Sequence, residues 1–137
     1  MSSGVDFGTL SVRVSIFHHE RGRLGAASAE YPLLRTPSDP DFATQRHADH
    51  LTALQAALHA ALAQSGVEGT AIESIALDTT GSSIIPVDAH MRPLGDYYLW
   101  CDHRAWREAA AITARAKQIG LPAVSYTHLT LPTILRV

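Results

Sequence analysis

Hydrophobic alternation near the N-terminus constrains this chain more than any other feature. Val12, Val14 and Ile16 alternate with Arg13, Ser15 and Phe17, so every second side chain can be buried. That is the mark of a strand with one covered face. The short apolar run Gly4 to Phe7 precedes it and suits a buried first strand. His18 to Arg23 is polar and contains Gly22, which reads as a hairpin turn. Leu24 to Leu34 reads as a third, less regular strand. A chain that opens on three strands joined by short turns must build a sheet and then cover it.

The cover lies further along. Leu51, Leu54, Leu58 and Leu62, with Ala57 and Ala61, recur at helical spacing. They predict a helix from about His47 to Ser65 with Gly66 as its C-cap. Before it, Thr36 to Phe42 carries Pro37, Asp39 and Pro40 and reads as a loop. After it, Ser74 to Asp78 reads as a buried fourth strand and Thr79 to Ser83 as a small-residue turn. Ile84 to Val87 reads as a fifth strand and Asp88 to Arg92 as a turn. Asp102 to Gln118 reads as a second helix with Asp102 as N-cap and Gly120 closing it. The order β-β-β-α-β-β-α describes an α/β unit with a mixed sheet.

Composition excludes several function classes. Of 137 residues, 46% are hydrophobic and 18% charged, which fills an ordinary core. Eleven basic and thirteen acidic residues give a net charge of -2, and no reason to expect nucleic acid or a membrane surface as partner. No apolar run approaches the roughly 20 residues of a membrane span, and no secretory-signal pattern opens the chain. One cysteine, Cys101, excludes an internal disulfide framework and fits a reducing cytoplasm. Without an identified activating base it reads as inert. His18 and His19 are adjacent and His47 and His50 are three apart, but no Cys or His pairs recur at zinc-site spacing. These histidines read as surface or helix-cap residues.

Three segments carry candidate chemistry. Asp6 ends the first strand, Gly8 and Thr9 form a tight turn, and Ser11 and Arg13 follow as the chain doubles back. Such a turn directs backbone N–H groups and hydroxyls at one spot, which suits a phosphate. Arg13 could add a charged fork, and Asp6 could hold Mg²⁺ through water. On spacing alone, a plain β-hairpin is the better account. No Gly-x-x-x-x-Gly-Lys-Ser/Thr loop is present, which disfavours a P-loop enzyme. In the second segment, Asp78 to Ser83, the turn offers hydroxyl and backbone donors to a polyol; composition alone favours an Asx- or Ser-type turn. The third, Leu99-Trp100-Cys101-Asp102-His103-Arg104, leads into the second helix, with Trp100 by default in the core.

Taken in order, these segments resemble the FGGY carbohydrate kinases. Asp6-Phe7-Gly8-Thr9 with Ser11 and Arg13 resembles that family's first phosphate motif. Asp78-Thr79-Thr80-Gly81-Ser82 with Pro86-Val87-Asp88, and Leu99-Trp100-x-Asp102-His103, resemble its ribulokinase branch. The resemblance spans roughly Gly4 to Ile119. It implies a ribonuclease H-like fold shared with actin and hexokinase. It implies ATP on Asp6, Gly8, Thr9, Ser11 and Arg13, with Mg²⁺ at Asp6 through water. It implies a sugar beside Thr80, Gly81, Ser82, Trp100, Asp102 and His103, phosphorylated on a hydroxyl, with a pentulose such as ribulose as the expected substrate.

The same resemblance implies that the general-base aspartate, second phosphate motif, adenine pocket and C-terminal domain lie beyond residue 137. The chain is then an incomplete N-terminal piece of a cytoplasmic enzyme, inactive alone, with a homodimer as one candidate assembly of the full-length protein. Two departures bear on the sugar: Cys101 stands where ribulokinases have lysine, and only Gly95-Asp96-Tyr97-Tyr98 stands where they carry a longer insertion. Residues 1–121 are expected to be the partial kinase domain and 122–137 a non-native tail. Ser125 to Val137 matches nothing the family has there and resembles translated sequencing-adapter DNA; a genuine terminal strand is the alternative. Two other functions stand beside the kinase. One is a ribonuclease H-like nuclease with metals on Asp6 and Asp78, against which the chain has no basic face; the other is a non-catalytic sugar- or nucleotide-binding fragment. The kinase reading further expects Asp6, Trp100 and the Thr80 turn to share one pocket, and a sheet left partly uncovered.

Overall fold

The computed structural model describes residues 1–121, in two compact units, Met1–Asp102 and a second that begins at His103. In chain order the first unit holds β1 (Ser2–Phe7), β2 (Ser11–His18), β3 (Gly22–Glu30), β4 (Leu34–Thr36), β5 (Asp39–Gln45), α1 (His47–Ser65), a 3-10 turn (Gly69–Ala71), β6 (Ser74–Thr79) and β7 (Tyr97–Tyr98). The main sheet has the order β3-β2-β1-β6, antiparallel except for β1 and β6, which run parallel. A smaller sheet has the order β4-β5-β7.

The alternation in β2 does what its period dictates. Val12, Val14 and Ile16 are fully buried, while Arg13 and Phe17 lie exposed on the other face. α1 covers the buried face with most of the expected stripe, but its alanines rather than its leucines lie deepest. Its buried residues are Ala53, Ala57 and Ala61; Leu54, Leu58 and Leu62 pack half-buried beside them, and Leu51 is 51% exposed. The reason is close approach. A Cβ at Gly25 of β3 would stand 2.7 Å from the carbonyl oxygen of Ala61 and 2.8 Å from the amide nitrogen of Ser65. Small residues on both elements let the helix seat against the strand. Gly66 closes α1 at φ 66°, and its N–H donates to the Leu62 carbonyl at 3.0 Å.

Elsewhere the elements differ from the sequence expectation. The segment expected as a loop at 36–42 carries the end of β4 and most of β5, paired from Leu34↔Thr44 to Thr36↔Asp39. Pro40 sits at the start of β5, where a missing donor is tolerated. Ile84 to Val87 forms only isolated bridges, Ile84↔Tyr98 and Val87↔Pro93, because Pro86 and Pro93 deny the ladder its donors. β6 is exposed along its length, with Ile75 61% and Leu77 69% accessible, rather than buried. It is the edge of its sheet, and its apolar composition is that of a strand meant to be covered.

In the second unit α2 spans Trp106–Gln118. It starts four residues later than expected: Ala105 is the N-cap, and Asp102 is engaged elsewhere. Glu108 in the first turn and Arg115 and Lys117 in the last complement its dipole. No described helix is long and apolar enough to cross a membrane. The expected tail at 122–137 lies outside the described residues.

Candidate active site

The Gly8 to Ser11 turn between β1 and β2 is held from behind by other elements. The Gly8 N–H donates to the Ser11 carbonyl at 2.9 Å, which closes the turn. The Tyr31 hydroxyl lies against the carbonyls of Gly8 and Ser11, the latter at 3.0 Å, its one hydrogen shared between them, and the Tyr31 N–H donates to the carbonyl of Leu10 at 3.1 Å. The Gln45 amide donates to the Thr9 carbonyl at 2.7 Å. Each of the four carbonyls is therefore drawn to a protein donor, and the N–H groups of Thr9 and Leu10 stand outside this network. Burial, and then the Asp6 charge, pushes the Tyr31 phenol up to about 12, so it remains a donor at neutral pH. On the open side, the Trp100 indole N–H donates to the Thr9 hydroxyl at 3.3 Å. Trp100 is 45% exposed, not core.

Asp6 lies opposite Arg13 across the hairpin, with 3.7 Å between charged atoms, and beside Asp78 in the parallel register of β1 and β6. The three line a shallow concavity of about 290 Å³ on the face of the sheet away from the buried valines. Both Asp6 and Arg13 are more than half exposed, so their ion pair is weak. A half-exposed carboxylate with oxygen donors free of a tight partner fits a Mg²⁺ held through water.

The other face carries a cleft of about 310 Å³, lined by Phe7, His47, His50, Thr79, Thr80 and Tyr97, with Leu51, Ser83 and Leu99. Asp6 is not among them. Its expected pocket with the Thr80 turn is not formed, because successive side chains of a strand point to opposite faces and Phe7 takes the cleft side. Gly81 and Ser82 form an exposed turn beyond Thr80, with Ser82 at φ 62°. The Ser83 hydroxyl is buried without a hydrogen-bond partner among the described residues, a group that a polyol hydroxyl would satisfy. Asp102 accepts from the Ala43 N–H at 3.0 Å. His103 belongs to the second unit, where its carbonyl accepts from the Trp106 N–H at 3.1 Å.

His47 and His50 are half-buried cleft residues rather than surface or helix-cap ones. Three apart on a helix, they share a face. His47 Nδ1 meets the Tyr97 hydroxyl at 2.8 Å, and the His50 ring stacks on Tyr31 with centroids 4.0 Å apart. Burial, and then the neighbouring His47, lowers the His50 pKa against an opposing Asp49 charge. The unfolded chain takes up a proton near 6.5 that the folded imidazole resists, so stability is complete above that value and falls as the pH drops below it. The thermal midpoint is expected to fall between pH 7.5 and 5.5, and His50→Gln to flatten that slope. An unchanged slope would remove His50 as its source.

Comparison with known proteins decides the family. The profile of the N-terminal domain of the FGGY family of carbohydrate kinases matches residues 1–131. The chain belongs to the FGGY carbohydrate kinases. Among FGGY relatives, it is 29% identical over 100 residues to a ribulokinase of Geobacillus thermodenitrificans, covering 66% of this chain and 18% of that protein. It is 28% identical over 132 residues to an L-xylulose/3-keto-L-gulonate kinase of Escherichia coli, covering 95% of this chain and 25% of that one. Its structure superposes on that of a xyloylose kinase from Brucella ovis with a TM-score of 0.77 and 31% identity, over 85% of this chain and 24% of the other. The FGGY chain therefore spans a quarter or less of these relatives, and its fold is the actin- and hexokinase-like ATPase fold, present in part.

Proposed function

We propose that this FGGY chain is the N-terminal part of a cytoplasmic, ATP-dependent kinase that phosphorylates a pentulose such as ribulose. The observation that carries the reading is the Gly8 to Ser11 turn, whose four carbonyls are all drawn to protein donors. A carbonyl facing an anion repels it; a turn with its carbonyls tied back presents N–H groups and the Thr9 and Ser11 hydroxyls instead. Arg13 adds positive charge beside it, and Asp6 orients the hydration shell of the cation. Mg²⁺, when bound, neutralises charge on the phosphate oxygens. The cleft beside Thr80 supplies aromatic walls and hydroxyls for the sugar, with Gly81 and Ser82 at its turn. Trp100 stands at the phosphate turn and Asp102 on the Ala43 N–H, and a sugar contact for Trp100, Asp102 and His103 rests on the family resemblance alone. The small-molecule sugar is the proposed partner, and a homodimer the proposed assembly.

The test is a coupled ATPase assay of the full-length protein, with Mg²⁺ and a panel of D- and L-ketopentoses, glycerol and hexonates. Phosphorylation of a ketopentose, and none by residues 1–137 alone, is expected. Preference for glycerol or a hexonate would overturn the pentulose assignment. The register pairing of Asp6 with Asp78 favours a second reading, a two-metal nuclease. Cleavage of nucleic acid with Mn²⁺, in the absence of sugar phosphorylation, would establish it.

A further inference from the structure

We propose that Gln45 is a positioning residue that sets the phosphate turn, and that His50 fixes it in that task; the proposal rests on the kinase reading above. Gln45 is 1% exposed, the last residue of β5, and far in sequence from the turn it serves. Its amide is satisfied at both ends. The Thr9 carbonyl can only accept, so the amide nitrogen faces it, at 2.7 Å. The amide oxygen then faces His50 Nε2 at 3.0 Å, which must carry a hydrogen. His50 is locked in turn by the Tyr31 ring. A buried amide with one orientation holds its partner in one place.

What it holds is the Thr9 carbonyl. Were that carbonyl released, the peptide between Thr9 and Leu10 could rotate, placing an acceptor where the turn should offer an N–H. Tyr31 secures the carbonyls on either side but does not reach this one. The same amide connects the two halves of the site. His50 and Tyr97 line the cleft, Gln45 pairs with Tyr97 across β5 and β7, and Thr9 stands at the turn.

The decisive variant is Gln45→Glu in the full-length protein, isosteric but with an acceptor facing the Thr9 carbonyl. It is expected to raise KM for ATP about tenfold and to leave KM for the sugar within about twofold. Hydrogen exchange of the peptide covering residues 8–11 should quicken while that of β2 and α1 does not. Gln45→Met, which keeps volume without a donor, should show the same split to a smaller degree. An unchanged KM for ATP, or equal rises in both KM values, would overturn the proposal. So would failure of both variants to fold, which would mean that Gln45 serves the core and not the turn. If the wild-type protein phosphorylates no sugar, the kinase reading fails, while the exchange comparison still decides whether Gln45 holds the turn.

Discussion

Gly25→Val is expected to lower the stability of this domain by about 3 kcal/mol or more, a large share of a total of the order of 5–15 kcal/mol. The expectation rests on what the new side chain would strike. Its Cβ would lie 2.7 Å from the Ala61 carbonyl oxygen, 2.8 Å from the Ser65 nitrogen and 3.1 Å from the Ser65 Cβ. Two of these atoms are helix backbone and cannot rotate aside. α1 must therefore withdraw, taking Ala53, Ala57 and Ala61 out of contact with the strands they bury and loosening the cover over Val12, Val14 and Ile16. The γ-methyls of valine add to the displacement. Ala61→Gly should not rescue the variant, because the obstructing atom is a carbonyl. Gly4→Ala is the control: its Cβ would meet only the Phe17 ring, at an ordinary 3.7 Å. Urea midpoints of the three variants measure the effect, and a midpoint for Gly25→Val equal to wild type would show that α1 does not sit on β3 in this way.

If the proposed kinase reading holds, Asp6→Asn is expected to lower kcat/KM of the full-length protein by about 10- to 100-fold, the range found when a group that orients a metal's ligands is lost. The loss should shrink as Mg²⁺ is raised, since the neutral amide still accepts hydrogen bonds from hydration water but attracts the ion less. Stability should change little, because the Asp6–Arg13 pair is exposed and separated by 3.7 Å. A Mg²⁺ titration at saturating ATP distinguishes this from misfolding. A variant with wild-type kcat/KM at every Mg²⁺ concentration would rule out the metal role proposed for Asp6. Asp78, its register neighbour, would then be the carboxylate to test next.

Patterns local to a few residues were legible in the chain. The period-2 alternation of Val12, Val14 and Ile16 told which face of β2 is buried, because that pattern needs no knowledge of the partner. The reach of α1 and its Gly66 cap followed from helical spacing and a residue suited to positive φ. The order of the three motifs identified the family that the comparisons show. Depth and partnership were not legible. Whether α1 buries alanine or leucine depends on Gly25, more than thirty residues away, and on how near two backbones come. Asp6 was readable as a strand-end carboxylate, but its separation from the Thr80 cleft depends on which face of the finished sheet each side chain meets. Gln45 and Tyr31 carried no motif at all; only tertiary folding brings an amide and a phenol behind the Gly8 to Ser11 turn. The sequence by itself determined the opening hairpin strands, α1, β6 and the motifs they carry, but not the smaller β4-β5-β7 sheet. The tertiary structure decided which of those groups meet, because burial and hydrogen bonding join residues that chain order keeps apart.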